Sequence, residues 1–425
     1  MVYVINKEGQ ALMPTERFGK VRRLLKNGLA HVICRIPFTI QLDYETTHFV
    51  QPISLGVDAG SKHIGISATT SEKELYAADV ELRNDIVEKL STRREQRRTR
   101  RNRLRYRKTR FNNRVSSKHK GWLAPSVENK IQTHLTVVEK IHKFLPITKI
   151  IVETASFDIQ KIKNPSISSK EYQQGEQLGF FNVREYVLFR DNHTCQHCKG
   201  KSKDHILNVH HIESRKTGGN SPSNLITLCE SCHKAYHNGK IDIKVKRGAS
   251  FRDAAFMGIA RWTTYERLKN IYPNVSMTFG YITKNTRITN GLPKEHYVDA
   301  RCISGNPKSK PLGYYFYQKK VRCQNRQIHN ANFLKGGRKK LNQSPFLVKG
   351  YRLFDLVEYQ KKLYYIFGRR DSGFFDIRRL DGIKVNKGSI SCKHIRLVDI
   401  RKGIIIERRN SCSIPPHELK FCGFP

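Results

Sequence analysis

Ile53-Ser54-Leu55-Gly56-Val57-Asp58-Ala59-Gly60 is the stretch from which the fold can be read. An apolar run ends on an acid, and glycine then breaks it. Ile64 to Ala68 reads as a second strand, and Leu75 to Leu82 as a third after the polar turn Ser71 to Lys73. A carboxylate at a strand end can meet others brought from distant sequence. Ile150-Ile151-Val152 is wholly apolar, as strands buried in a parallel sheet are, and it runs straight into Glu153. His296 and Asp299 share one face of a helix expected after Pro293. Asp58, Glu153 and Asp299 would repel one another unless cations sat between them, which is the donor set of a two-metal phosphodiesterase centre.

Between the first two acids, Asn84 to Lys120 contains no Gly and no Pro, which is compatible with one long helix. Its middle carries Arg93, Arg94, Arg97, Arg98, Arg100, Arg101, Arg103, Arg105, Arg107 and Arg110, with Lys108 and Arg114. Charges on every face leave no side to pack on a core, so such a helix needs phosphates around it. Tyr106 and Phe111 can stack on bases. The whole chain has 425 residues, 79 Lys plus Arg, 36 Asp plus Glu and a formal net charge of +43. That charge asks for a polyanionic partner and argues against a small-molecule metabolic enzyme.

A second constellation lies further on. Cys195-x-x-Cys198 and Cys229-x-x-Cys232 are two knuckles spaced to hold one structural zinc. His210-His211, Gly218-Gly219-Asn220, Asn224, His233 and His237 surround them, although a four-thiolate zinc needs no histidine. The other six cysteines, at 34, 302, 323, 392, 412 and 422, are scattered, so a reducing compartment is expected rather than a disulfide scaffold. The start lacks a signal layout and no long apolar run occurs, so a cytoplasmic, nucleoid-associated protein without a membrane segment is expected.

Elsewhere the patterns predict a strand at Val2 to Ile5, a helix at Phe18 to Lys26 ended by Gly28, and a strand from His31 to Leu42 bent at Pro37. Ser126 is expected to cap a helix that Pro146 stops. Phe251 to Tyr272 reads as helix, Val275 to Thr283 as strand, and 345–410 as a small β-barrel or sandwich.

Several segments resemble known motifs. Gly56-Val57-Asp58-Ala59-Gly60 with Ile64-Gly65-Ile66-Ser67 resembles the first RuvC motif. Ile150 to Glu153, with Phe157-Asp158 downstream, resembles the second, and His296-x-x-Asp299-Ala300 the third. The order His-His, Asn, Cys-x-x-Cys-His resembles the HNH (ββα-metal) nucleases. RuvC-I, arginine-rich helix, RuvC-II, HNH, RuvC-III is the layout of the type II CRISPR single-effector nuclease, in a chain too short for its recognition lobe. Ala11-Leu12-Met13-Pro14, Phe111-Asn112-Asn113-Arg114, Gly121-Trp122-Leu123 and Gly350 to Asp355 resemble IscB, the transposon-encoded RNA-guided endonuclease family. Ala11 departs from that family's first proline, at no catalytic position.

The resemblance implies a mixed α/β chain: an RNase H-like (RuvC) sheet with an inserted zinc-stapled HNH domain, a bridge helix and a C-terminal β-barrel. The implied division is an N-terminal domain 1–52, RuvC-I 53–82, bridge helix 83–120, RuvC-II 121–160, linker 161–180, HNH 181–245, linker helix with RuvC-III 246–310, and a domain 311–425 that contacts a flanking DNA motif. It implies Mg²⁺ at Asp58, Glu153 and Asp299, with His296 also catalytic. In the HNH domain it implies His211 as general base, His210 and His233 as Mg²⁺ ligands with His237 as a further candidate, and Asn224 orienting the base. The implied partners are a structured omega RNA and target double-stranded DNA, bound by a monomeric protein. HNH would cut the guide-paired strand and RuvC the displaced one. Two other readings are a protein-only homing or junction-resolving endonuclease and a non-cleaving RNA-guided DNA-binding protein.

Overall fold

A computed structural model describes residues 1–104, 121–154, 176–213, 219–242, 248, 252–322 and 345–411, with side chains at all of these except 96–104 and 252–256. Phe157, Asp158, Gly218, Arg105, Arg107, Arg110 and the 111–114 motif lie outside the described residues. The chain forms two compact units, Met1–Ala155 with Met257–Pro425, and Ser156–Phe256.

The first unit opens with β1 (Tyr3–Ile5), α1 (Phe18–Lys26), β2 (Ala30–Cys34) and β3 (Thr39–Leu42), a three-stranded sheet in the order β1-β3-β2. Gly28 ends α1 at φ +67°, a backbone region that glycine enters without a Cβ clash. Tyr3 is buried, and its hydroxyl donates to the Leu75 carbonyl at 2.9 Å. Strands β4 (Ser54–Ala59), β5 (His63–Thr69) and β6 (Glu74–Glu81) follow as an antiparallel meander. Helix α2 (Ile86–Leu104) is the described part of the long basic helix, and Arg93 and Arg94 on it are exposed. Helix α3 (Pro125–His142) begins differently from the sequence expectation. Ala124 is its N-cap and Pro125 takes the first turn, where a missing N–H costs nothing; Ser126 does not cap it. Strand β7 (Lys149–Thr154) then carries Glu153.

The second unit contains α4 (Val183–Arg190), β8 (Leu207–His211), β9 (Leu225–Cys229) and α5 (Glu230–His237). The two strands pair antiparallel and α5 follows directly from β9.

The chain returns through α6 (Arg252–Ile271), β10 (Val275–Phe279), α7 (Gly280–Thr289), α8 (His296–Ile303) and β11 (Tyr314–Lys320). The strand expected to reach Thr283 stops at Phe279, because Gly280 to Thr289 turns into a helix. Strands β12 (Leu356–Tyr359), β13 (Lys362–Arg369), β14 (Phe374–Arg378), β15 (Ile390–Ser391) and β16 (Arg396–Asp399) make an antiparallel sheet in the order β15-β14-β13-β12-β16. Its end strands β15 and β16 pair with each other nowhere among the described residues, so the expected barrel is an open sheet there. Strand β17 (Ile404–Asn410) leaves it for the large sheet. The stretch 311–425 therefore does not stand apart: both β11 and β17 complete the seven-stranded sheet, β10-β7-β4-β5-β6-β11-β17. In that sheet β10, β7 and β4 run parallel, as do β6 and β11.

Strand alternation sorts β4 and β5 into two unlike faces. Leu55, Val57, Ile64 and Ile66 point into the main core with Val137, Val138 and Ile141 of α3. The opposite face carries Gly56, Asp58, His63 and Gly65. Helix α8 lies against this second face at backbone distance. A Cβ on Gly56 would fall 1.9 Å from the Ala300 carbonyl oxygen, and one on Gly65 1.9 Å from that of His296. Glycine is required at both positions by this approach. We predict that Gly65→Ala costs about 3 kcal/mol by the overpacking rule and displaces His296 and Asp299 from Asp58. Denaturant unfolding checks the first expectation; a loss of 0.5 kcal/mol or less would contradict the close approach.

Candidate functional site

On the glycine face, four predicted residues converge. His296 at the start of α8 places Nδ1 2.9 Å from Asp58 Oδ2. That hydrogen bond to Asp58 raises the pKa of His296 against its partial burial. Glu153 lies on the neighbouring parallel strand, and Gly280 leaves room for its carboxylate: a Cβ there would sit 3.1 Å from Glu153 Oε1. Burial raises the Glu153 pKa, and the Asp58 charge raises it further. Asp299 is raised for the same two reasons, burial first and Asp58 second. These acids therefore repel one another in a poorly solvated place, and such a donor set fits added cations. Two arginines stand among them. Arg261 Nη1 is 2.8 Å from Glu153 Oε1, its Nη2 3.7 Å from Asp58 Oδ1, and its Nε donates to the Ala59 carbonyl at 2.8 Å. Arg287 forms an ion pair with Asp299 at 2.9 Å. A lone buried arginine on a helix has no sequence signature, and neither was singled out from sequence. His63 was also missed. Its ring stacks on His296 at 5.2 Å, and its Nδ1 is 2.9 Å from Asp79 Oδ1.

His134 of α3 is buried on the core side of this centre. Its Nδ1–H donates to the Lys130 carbonyl at 2.8 Å and Nε2 has no hydrogen-bond partner. Burial pushes its pKa down to about 4. With 6.5 in the unfolded chain, the unfolded state binds the extra proton between pH 6.5 and 4, so this residue's contribution to stability falls as pH drops through that window. Relative to His134→Gln, the native protein should lose about 3 kcal/mol more on acidification from pH 7 to 4. Paired urea titrations measure this, and parallel pH profiles would contradict it.

In the second unit, His210 and His211 are consecutive on β8 and so point to opposite faces. His210 is buried and meets the His233 and His237 rings at 5.1 and 5.2 Å. His233 and His237, four apart on α5, share one helix face with Nε2 atoms 3.2 Å apart. One nitrogen from each of the three lies within 4.8 Å of the others. Burial, and then the neighbouring imidazoles, lower His210 to about 4, so it is neutral at pH 7 with a lone pair available. Burial lowers His233 as well. Three facing imidazoles fit a divalent ion, with His237 joining the expected His210 and His233.

His211 faces the other way. Its Nε2 is 3.0 Å from Asn220 Oδ1. Asn224 does not orient it, contrary to the expectation. Asn224 is fully buried, accepts from the Glu213 N–H at 2.8 Å, and donates to the Glu213 and Gly219 carbonyls at 3.0 and 2.9 Å. It closes the loop that carries Asn220, so its effect on His211 is indirect.

The four cysteine sulfurs also lie within 4.8 Å of one another. A tetrahedral zinc with Zn–S bonds of about 2.3 Å sets sulfurs about 3.8 Å apart, and Cys198 to Cys229 measures 3.8 Å. The group therefore fits zinc. Ser202 Oγ reaches both Cys229 and Cys198, at 3.1 and 3.3 Å, and this hydroxyl is the main cause that lowers Cys198 to about 6. Among the described residues, only the cysteine and histidine groups put ligand atoms this close; the three carboxylates do not. No described helix is long and apolar enough to cross a membrane.

Comparison with known proteins agrees with the ββα unit. Residues 195–239 match the HNH endonuclease family, and residues 2–175 match the family described as RRXRR protein. No curated protein matches. Among solved structures, Streptococcus thermophilus Cas9 in complex with the GGAA PAM is 15% identical over 50% of this chain and 30% of that one, with a TM-score of 0.32. Its complex with the AGGA PAM is 14% identical over 49% and 30%, with a TM-score of 0.34. This chain thus spans less than a third of the length of those structures. The HNH endonuclease match thus spans the stretch that holds the thiolate group and the histidine cluster.

Proposed function

We propose that this protein is an RNA-guided DNA endonuclease of the IscB kind, with two cutting centres. The observation that carries this reading is the convergence of Asp58, Glu153, Asp299 and His296, drawn from three separate segments (β4, β7 and α8), in a chain that also holds an HNH domain and a net charge of +43. The order β6-β5-β4-β7-β10, with β7 and β10 parallel to β4, supports an RNase H-like sheet beneath the carboxylates.

In the HNH centre, Asn220 Oδ1 accepts from His211 Nε2–H. This fixes the proton on Nε2 and leaves Nδ1 as the base for a water molecule. His210, His233 and His237 would hold one divalent ion, which supplies charge stabilisation for a phosphate oxygen. An all-imidazole set suits Zn²⁺, Ni²⁺ or Fe²⁺ better than the Mg²⁺ first expected, because Mg²⁺ takes oxygen ligands. Asp58, Glu153 and Asp299 supply oxygen and would hold Mg²⁺. The four cysteines hold a structural zinc. The arginines of α2 neutralise phosphates of the guide and its paired strand. Base pairing to a structured omega RNA reads the target, and the segment around β12 to β16 meets the flanking DNA.

The test is to express the gene with its native flanking DNA, purify the protein and sequence the bound nucleic acid. One discrete RNA encoded beside the gene, which then directs cutting of matching DNA, is the expected result. Unrelated host RNA together with DNA cutting by the bare protein would replace this reading with a protein-only endonuclease.

A further inference from the structure

Arg261 sits where a cation shared by Asp58 and Glu153 would have to go. Its side chain is only 11% exposed. Three contacts hold it: the Glu153 carboxylate at 2.8 Å, Asp58 at 3.7 Å and the Ala59 carbonyl at 2.8 Å. A hard divalent ion binds carboxylate oxygen at about 2.0–2.1 Å. A cation held by Glu153 Oε1 and Asp58 Oδ1 would compete with the guanidinium for both oxygens. The two cannot be bound to that pair of oxygens together.

We propose that Arg261 is the resident cation of the carboxylate centre, and that a divalent ion binds there by displacing it. The inference rests on the two-metal reading of this centre given above. Burial of Asp58 beside Glu153 would otherwise leave two anions with no cation between them, which is strongly unfavourable. Arg287 does for Asp299 what Arg261 does for the other two. Two guanidiniums, with His296 hydrogen-bonded to Asp58, thus oppose the charge of the three carboxylates before any metal arrives. The cost is borne by metal affinity: the apparent constant is weakened by the fraction of molecules in which the guanidinium is in place. Arg261 is a positioning residue in this scheme. It orders the ligands and sets the metal concentration at which the centre loads.

The test measures metal binding directly. Mn²⁺ binding to the full chain is followed by the paramagnetic resonance of free Mn²⁺, for the wild type, Arg261→Gln, Arg261→Lys and Asp58→Asn. Sites lost in Asp58→Asn belong to the carboxylate centre, which separates them from the histidine cluster. Arg261→Gln should bind Mn²⁺ at that site about tenfold more tightly than the wild type. Arg261→Lys keeps the charge but not the fork, and should fall between. In EDTA the thermal midpoint of Arg261→Gln should drop, and Mn²⁺ should restore it. A wild-type-like Mn²⁺ affinity in Arg261→Gln, within twofold, with the Asp58-dependent site still present, would overturn the proposal. Should Arg261→Gln fail to fold, Arg261→Lys decides by the same criterion. Absence of any Asp58-dependent Mn²⁺ site in both wild type and variants would instead remove the two-metal reading of the centre, and the displacement model with it.

Discussion

His211→Ala should slow cutting of the guide-paired strand by about 10²- to 10⁴-fold, the usual contribution of a general base, and leave cutting of the other strand unchanged. The expectation follows from the opposed faces of β8. His210 turns toward α5 and its two histidines, whereas His211 turns toward Asn220. Removing His211 therefore deletes the base without touching the metal ligands. Asp58→Ala should give the mirror result, loss of the displaced-strand nick alone, because its carboxylate lies in the other compact unit. Asn220→Ala should fall short of His211→Ala, since it frees the imidazole to rotate or change tautomer but keeps it. Strand-labelled DNA, with one end label on each strand, resolves the two nicks. Equal loss of both nicks in either single variant, or loss of neither, would show the assignments to be wrong.

Loss of the thiolate knot should unfold the 176–242 region while the rest of the chain stays folded. The second unit is small; one of its apolar clusters is built largely from the cysteines themselves with Ile226 and Leu228, and the other has only Tyr186, Val187 and Leu225 as buried members. A structural zinc in such a setting contributes about 10–16 kcal/mol, more than this core can replace. Cys229 is the sharpest position to test. It is buried, ends β9 and is the N-cap of α5, which carries His233 and His237. Cys229→Ala should release one zinc per chain, open the second unit to limited proteolysis and abolish the guide-paired nick. Proteolytic fragments from the first unit should keep their native resistance. A variant that keeps the native cleavage pattern without zinc would contradict a metal staple.

The two predictions draw on different layers of information. The zinc ligands could be read from spacing, because a Cys-x-x-Cys knuckle is local and two of them complete a coordination shell. The acids Asp58 and Glu153 could be read as strand-end carboxylates, because alternation and apolar runs are also local. Pro125, Gly280 and β17 mark where local reading failed. A proline fits a helix start as well as it ends one. A β-branched run such as Val275 to Thr283 does not reveal that its end turns into helix. Nothing in Ile404 to Asn410 says which of two sheets it joins.

What the sequence alone determined was the inventory: the basic charge, the four thiolates, the paired histidines, and acids ending apolar strands. Each depends on residue type and short spacing. What only the tertiary structure decided was which groups meet. Asn220 rather than Asn224 touches His211, because the buried Asn224 amide is consumed in closing the loop. His237, from sequence only a further candidate ligand, lies with His210 and His233, because one helical turn brings it alongside His233. Arg261 reaches Glu153 and approaches Asp58, although more than a hundred positions separate it from Glu153. A long-range ion pair leaves no periodic trace in sequence, since it depends on how whole elements pack. Here that packing is set by two glycines that let α8 rest on the backbone of β4 and β5.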